Sequence, residues 1–523
     1  MQILLKTFSK IPPFSGIDVK FRGHALNNSP LEGGQGGVAQ YGEAMKSSFD
    51  CAAGSYDEFN LLDSCKNTPP TPLKGGMLRA KKLAFVLIAL LTCPALLAQK
   101  YDPSTLVFPP ILHIWVQKAT STHLRLYTKG QVKVKDPQGV AAVRLDSWED
   151  AKRAGDDDEL TVYGVNAGFN MIIYNTSKST LSFYGINETG EKRLQQPHGI
   201  TGHRGGDVYL ADTGNNRVVH FFNPGRELKY VRSLTGLNAP RDVVMGSDRT
   251  VYVADTGNHR VLIYRDDQLE RTLLVSAALQ NPSALAVTQA NDDWSYFHEA
   301  FLVVVDQNAQ RVHKLSLNGE VLASWSALEN GKPNTKLGYI AIDYYSNIYV
   351  TDLGNHGIHK FDRNLAYLTF FGRRGGGEKE FNEPRGIAIY KRFGQVIIAE
   401  KEAAQYYWVG TEVTSFQAAP HNSPALLKLE YFLTEASYVK IEIFDERKTL
   451  LATAMEKILR MPGPRQEWLD GNWRPVDVEF PSASNAAQTA PLKPGNYRLR
   501  LTVQPTYSSF KHLEKSVETN VSF

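Results

Sequence analysis

One phrase of eleven residues occurs twice in this chain, nearly unchanged and 43 positions apart. Val208-Tyr209-Leu210-Ala211-Asp212-Thr213-Gly214-Asn215-Asn216-Arg217-Val218 returns as Val251-Tyr252-Val253-Ala254-Asp255-Thr256-Gly257-Asn258-His259-Arg260-Val261. Looser copies run from Val303 to Val312, through Asp306, and from Ile348 to Ile358, through Asp352 and Gly354. A unit of this length cannot bury its own apolar faces, so the copies must stack on one another.

Each copy reads as strand, turn, strand. The Val, Tyr, Ile and Leu runs are β-branched or aromatic and apolar on both faces. Asp212, Asp255, Asp306 and Asp352 close the first strand of each pair, where a carboxylate can accept bonds from turn amides. Gly214 and Gly257 are expected to supply the positive φ of a tight turn, with Gly354 at the same place in the fourth copy. Ahead of the pairs stand Pro197-His198-Gly199-Ile200, Pro240-Arg241-Asp242-Val243, Pro282-Ser283-Ala284-Leu285 and Pro384-Arg385-Gly386-Ile387. A proline at the first residue of a strand does little harm to the ladder. A polar turn and another strand follow each pair, and four strands per unit make a propeller blade.

These residues resemble the NHL-repeat β-propeller family, and Phe370 to Ala388 looks like that family's link between blades. The resemblance spans about Asp136 to Phe416. The anchors Asn166, Asp212, Asp255, Asp306, Asp352 and Glu400 lie 46, 43, 51, 46 and 48 residues apart. Six anchors imply an all-β, six-bladed propeller over 136–418, with an insertion around Asp292-Asp293-Trp294. Residues 99–135 are expected to close the ring by pairing with the last blade, through strands at Ile111 to Val116 and His123 to Tyr127.

Beyond a linker at Ala418 to Pro424 the repeats stop. Alternation in Tyr438 to Asp445 and Tyr497 to Val503 indicates half-buried antiparallel strands. Trp468-Leu469-Asp470-Gly471-Asn472 and Pro494-Gly495-Asn496-Tyr497 resemble the Ig-like domain of the bacterial flagellar hook-capping family. The resemblance implies an Ig-like β-sandwich over 424–523, serving as spacer, anchor or sorting module. The inserted Leu469 and the long loop from Trp473 to Pro491 depart from that pattern.

The N-terminus has two parts. Met77 to Lys82 is basic, Leu83 to Thr92 is apolar, and Pro94 to Ala98 offers a small-residue cleavage site, so 77–98 reads as a secretory signal peptide. Export signals act from the start of a chain, which makes Met77 the expected start and 1–76 a doubtful leader. The alternative is a disordered extension. All three cysteines, Cys51, Cys65 and Cys93, precede Gln99. A mature chain beginning there would contain no thiol chemistry, no disulfide and no transmembrane segment.

Little in the sequence indicates catalysis. Some NHL-like propellers are enzymes, and the resemblance to the amidating-lyase group implies zinc held by histidines in phrases like Pro197-His198-Gly199-Ile200. Here His198 fits that phrase, but Arg241, Ser283, Tyr339 and Arg385 stand at the equivalent positions. One histidine cannot build a three-ligand zinc site, so no metal and no cofactor are expected. Asp156 to Glu159 reads as a solvated hairpin tip and not a calcium loop. A net charge of +4 is too mild for nucleic acid.

The expected function is therefore a secreted or envelope-associated bacterial binding or scaffold protein, not an enzyme. Its partner would be a protein, peptide or carbohydrate in the cell envelope or outside. A lactonase-like or amidating-lyase-like propeller is the alternative. His198, Arg241, Ser283, Tyr339 and Arg385, each next to a leading proline or its equivalent, are expected to ring one mouth of the central channel.

Overall fold

The computed structural model describes residues 104–110, 116–128, 130–148, 160–177, 180–225, 227–273, 279–306, 310–422, 425–476 and 490–523. The leader, the signal peptide and the three cysteines lie outside the described residues. So do all but Val116 of the strand read at Ile111 to Val116, the acidic run Asp156 to Glu159, and most of the loop from Trp473 to Pro491.

Six antiparallel sheets follow one another along residues 137–409. Their leading strands are Pro137–Val143, Pro197–Gly202, Asp242–Met245, Pro282–Thr288, Leu337–Ile342 and Pro384–Tyr390. In the first five sheets, three more strands add in chain order. In the sixth, Leu106–Val107 and Lys118–Thr120 pair with the third strand, Ala403–Val409. Each leading strand neighbours the next, and the sixth lies beside the first, so the strands close a ring. His123 to Tyr127, read above as a strand, belong instead to the α-helix Ser121–Tyr127, in which Thr120 and His123 form a capping box. That local capping outweighs the weak alternation of a short segment.

The second strands explain the apolar runs. Asp207–Asp212, Phe301–Asp306 and Ile348–Asp352 are buried at every position because each sheet packs on both neighbours. Val303, Trp325, Ile340, Val350 and Phe361 of the fourth and fifth sheets share one such cluster. Burying a residue of this kind contributes about 1.5–3 kcal/mol.

The anchoring carboxylates tie each sheet to the loop before it. Asp212 accepts the Gln195 amide at 2.7 Å, the Asn215 side chain at 2.8 Å and Arg217 Nε at 2.7 Å. Asp255 repeats this with Asn238, Asn258 and Arg260 at 2.7, 2.9 and 2.7 Å. Asp306 accepts the Gln280 amide at 2.9 Å, and Asp352 accepts that of Lys336 at 3.0 Å. The glycine expectation needs correction. Left-handed backbone falls two residues later, on Asn216, His259 and His356 (φ 53°, 54° and 56°). Gly214, Gly257 and Gly354 are required for space: a Cβ there would lie 2.7, 2.8 and 1.9 Å from the carbonyl oxygens of Gln195, Asn238 and Asn334.

Two further sheets follow and enclose one core. One comprises Val413–Asn422, Ala425–Leu433 and Gly463–Leu469, and the other Leu450–Arg460, Ser437–Phe444, Asn496–Pro505 and Lys515–Ser522. Leu429, Tyr431, Ile441, Ile443, Leu499 and Leu501 meet between them. Residues 418–422 are thus strand and not linker, and Pro420 sits on an edge strand where its missing N–H is tolerated. This sandwich is seated directly on the ring. Glu435 is fully buried and accepts Lys360 Nζ at 2.5 Å, Asn347 Nδ2 at 3.0 Å and the Tyr349 hydroxyl at 3.2 Å, all three from the fifth sheet. Tyr507 donates its edge to the same seam, its hydroxyl oxygen accepting the Tyr344 amide at 3.1 Å.

Candidate functional site

In five of the six leading strands the pairing register shifts just after the first residue, while the third strand begins at Asp242, after the corresponding position. The strand pairings make Gln138, His198, Arg241, Ser283, Gly338 and Arg385 equivalent. All six line one cavity of about 300 Å³, together with Asp136, Lys336, Leu337, Tyr339 and Leu353. The five residues named from sequence are therefore brought together. Tyr339 stands one residue deeper than expected, because Leu337 pairs with Asp352 as Pro197 pairs with Asp212. Its tier otherwise holds Gly139, Gly199, Asp242, Ala284 and Gly386. The glycines are forced: a Cβ on Gly199 would lie 1.9 Å from Asp242 Oδ1, and one on Gly386 would lie 2.4 Å from the Gln138 carbonyl oxygen.

The charges at the mouth are unevenly committed. Arg385 pairs with Asp136 and, at 3.4 Å, with Glu383, and also donates to the Pro137 carbonyl at 3.3 Å. Asp136 stays below the usual carboxylate range because the Arg385 hydrogen bond and charge outweigh the effect of burial. Arg241 is exposed, and its guanidinium donates from Nη1 to His198 Nε2 at 3.2 Å. His198 Nδ1 lies 2.9 Å from the Gln196 carbonyl, which fixes the Nδ1–H tautomer and leaves Nε2 as the acceptor. Burial and then the Arg241 charge push the His198 pKa down to about 4, so the imidazole is neutral at pH 7.

Beneath the mouth lie two groups that the sequence reading did not weigh together. Asp242 is 4% exposed and accepts the Val243 and Leu285 amides at 2.9 and 2.8 Å. Burial raises its pKa to about 7 despite those two bonds. Burial, and then the Asp242 charge, hold the Tyr339 phenol well above its ordinary value. The signal for Asp242 was available: it is the one acidic residue in a tier of Gly, Ala and Tyr.

The other end of the channel is spanned. Residues 289–300, inserted after the fourth leading strand, reach the corresponding loops of other sheets. Ser247 donates to Asn291 at 2.8 Å, Arg204 to Asp293 at 3.3 Å and Lys391 to Asp292 at 2.5 Å, while the Tyr296 amide donates to the Tyr344 carbonyl at 2.9 Å. Arg204 also binds Asp146 of the first sheet's loop at 2.7 Å. A segment rooted on the fourth sheet that bonds to the second and the sixth must cross the axis.

Among the described residues no three His, Cys, Asp or Glu side chains converge as a metal site, and no helix is long and apolar enough to cross a membrane. His259 and His356 occupy the left-handed turn position. His220 lies between Asp207 and Asp267 at 3.0 and 2.8 Å, and His359 bonds Asp352 at 2.9 Å.

Residues 194–221 and 237–264 match the NHL repeat. Among curated proteins none matches the chain. Similar solved structures include virginiamycin B lyase from Staphylococcus aureus, at 17% identity over 47% of this chain and 76% of that one, with a TM-score of 0.36. A streptogramin B lyase gives 17% identity over 53% and 94%, TM-score 0.37, and a gluconolactonase of Xanthomonas campestris 12% over 59% and 98%, TM-score 0.38. The chain thus carries NHL repeats within a propeller-like ring of four-stranded antiparallel sheets.

Proposed function

We propose that this chain is an exported, non-catalytic binding protein: a six-bladed NHL-type propeller that recognises an anionic or carbohydrate-like partner at its open channel mouth, carried on an Ig-like sandwich. One observation supports this most. Six equivalent strand positions converge on one concavity, and there the Arg241 guanidinium has no carboxylate partner among the described residues. Arginine binds carboxylates through two parallel hydrogen bonds, which suits such a partner. Export follows from the signal-like segment 77–98, with maturation before Gln99, and sequencing the N-terminus of the exported protein tests it.

For the binding site, the informative variant is Arg241→Ala alone. Removing Arg385 as well would strand Asp136 without its cation, confusing binding with stability. Arg241→Ala should abolish capture of the partner from envelope extracts with little change in melting temperature. Undiminished capture would move the site to another surface.

A second reading, a propeller hydrolase or lyase, has one specific support: Asp242, a carboxyl group that titrates near neutrality beside the same cavity. Turnover of a lactone or ester panel that disappears in Asp242→Asn, with binding intact, would favour it.

A further inference from the structure

The two ends of the channel differ. Its far end is crossed by residues 289–300, which bond to loops of the second, third, fifth and sixth sheets. What enters from the His198 and Arg241 mouth meets Tyr339 in a tier of glycine and alanine, within a space of about 300 Å³. That is room for roughly ten waters, enough for a small organic acid and too little for a folded element.

The charge of the cup narrows the ligand further. Lys336 is exposed at the rim. Arg385 is already paired with Asp136 and shares Glu383 with Lys401. His198 is neutral, and its Nε2 accepts a hydrogen from Arg241. Among the described residues the Arg241 guanidinium has no carboxylate partner, and its Nε and Nη2 donors form a fork that matches a carboxylate.

Building on the proposed binding site, we infer that the ligand is a small carboxylate that docks on Arg241 and whose body occupies the cup above Tyr339.

The test uses the mature chain and three matched pairs at pH 7: lactate and lactamide, glucuronate and glucuronamide, alanyl-alanine and its carboxamide. Calorimetry should show at least one acid binding about ten- to a hundredfold more tightly than its amide, the range expected for a charge-assisted hydrogen bond. Arg241→Gln should remove that advantage. A second readout is the His198 imidazole, assigned through His198→Gln. Arg241, Asp136 and Arg385 are the charged groups that act on it, and Arg241 is the charge that holds its pKa down most. A carboxylate on Arg241 should therefore raise the His198 titration midpoint, and the amide should not. Equal affinity of acid and amide, or no acid binding at millimolar concentration, overturns the carboxylate assignment. An acid that binds as well to Arg241→Gln as to the parent chain overturns the site itself.

Discussion

A few residues in each repeat do work that a neighbouring residue type could not. Gly257 lies against the Asn238 carbonyl, so even a methyl group must displace backbone. Gly257→Ala should cost on the order of 1–3 kcal/mol as an overpacking change. His259→Asn, which restores the residue found at Asn216 in the preceding copy, should stay within about 0.5 kcal/mol; urea unfolding of both variants checks the pair. The His220 cluster predicts a pH effect of definite sign. Burial opposes the charge of His220, but hydrogen bonds to Asp207 and Asp267 win and raise its pKa to about 9. Its contribution to stability is present below the ordinary histidine value of 6.5 and is lost as pH rises toward 9. Asp207 and Asp267 are shifted down, so their part is lost on acidification below the ordinary carboxylate range. His220→Gln should flatten the alkaline decline in melting temperature between about pH 6.5 and 9. A decline that persists unchanged would place its cause elsewhere.

At the scale of elements, the anchoring carboxylate makes a repeat cohere with its predecessor. Asp255 is fully buried and holds the Asn238 amide, the Asn258 side chain and Arg260. Asp255→Ala should therefore cost about 3–5 kcal/mol, since it leaves a partly buried guanidinium and two donors unmatched. Denaturant midpoints measured beside Glu270→Ala, an exposed outer-strand position, provide the control. The 289–300 insertion is an element of another kind. Replacing 290–299 with a three-residue Gly-Asn-Gly turn should speed amide exchange in the 246–250 and 343–347 loops that it covers. Exchange in the buried strand Val251–Asp255 should stay slow. Equal protection of those loops in both proteins would mean that the insertion does not shield that end.

At the scale of the whole molecule, the sandwich and the ring share a buried seam. Asp343 sits beside Glu435 in that seam, and burial together with the Glu435 charge raises its pKa; Lys360 then serves the pair as its one cation. Glu435→Ala should cost about 3–5 kcal/mol by leaving Lys360 buried without its closest counter-charge. Pairing it with Lys360→Met should recover much of the loss. Calorimetry should show one cooperative transition for ring and sandwich in the parent chain, and two resolved transitions there would contradict a shared seam.

The sequence by itself determined the repeating unit, its four strands and its anchoring carboxylates, because these depend on interactions within a copy or with the adjacent one. His198, Arg241, Ser283 and Arg385 were legible for the same reason: a leading proline marks the position, and stacking carries equivalent positions to the axis. Tertiary structure decided the rest. Tyr339 shifted by one tier because register is set by pairing with Asp352 and not by the missing proline. Gly257 turned out to be needed for space, since the carbonyl that approaches it belongs to another loop. His123 to Tyr127 became helix because five residues are too few for periodicity to outvote a cap. The neutralisation of Arg385, the closed far end and the Glu435 seam join residues tens to hundreds of positions apart. No local pattern encodes such pairings, because their energies exist only once the ring has closed.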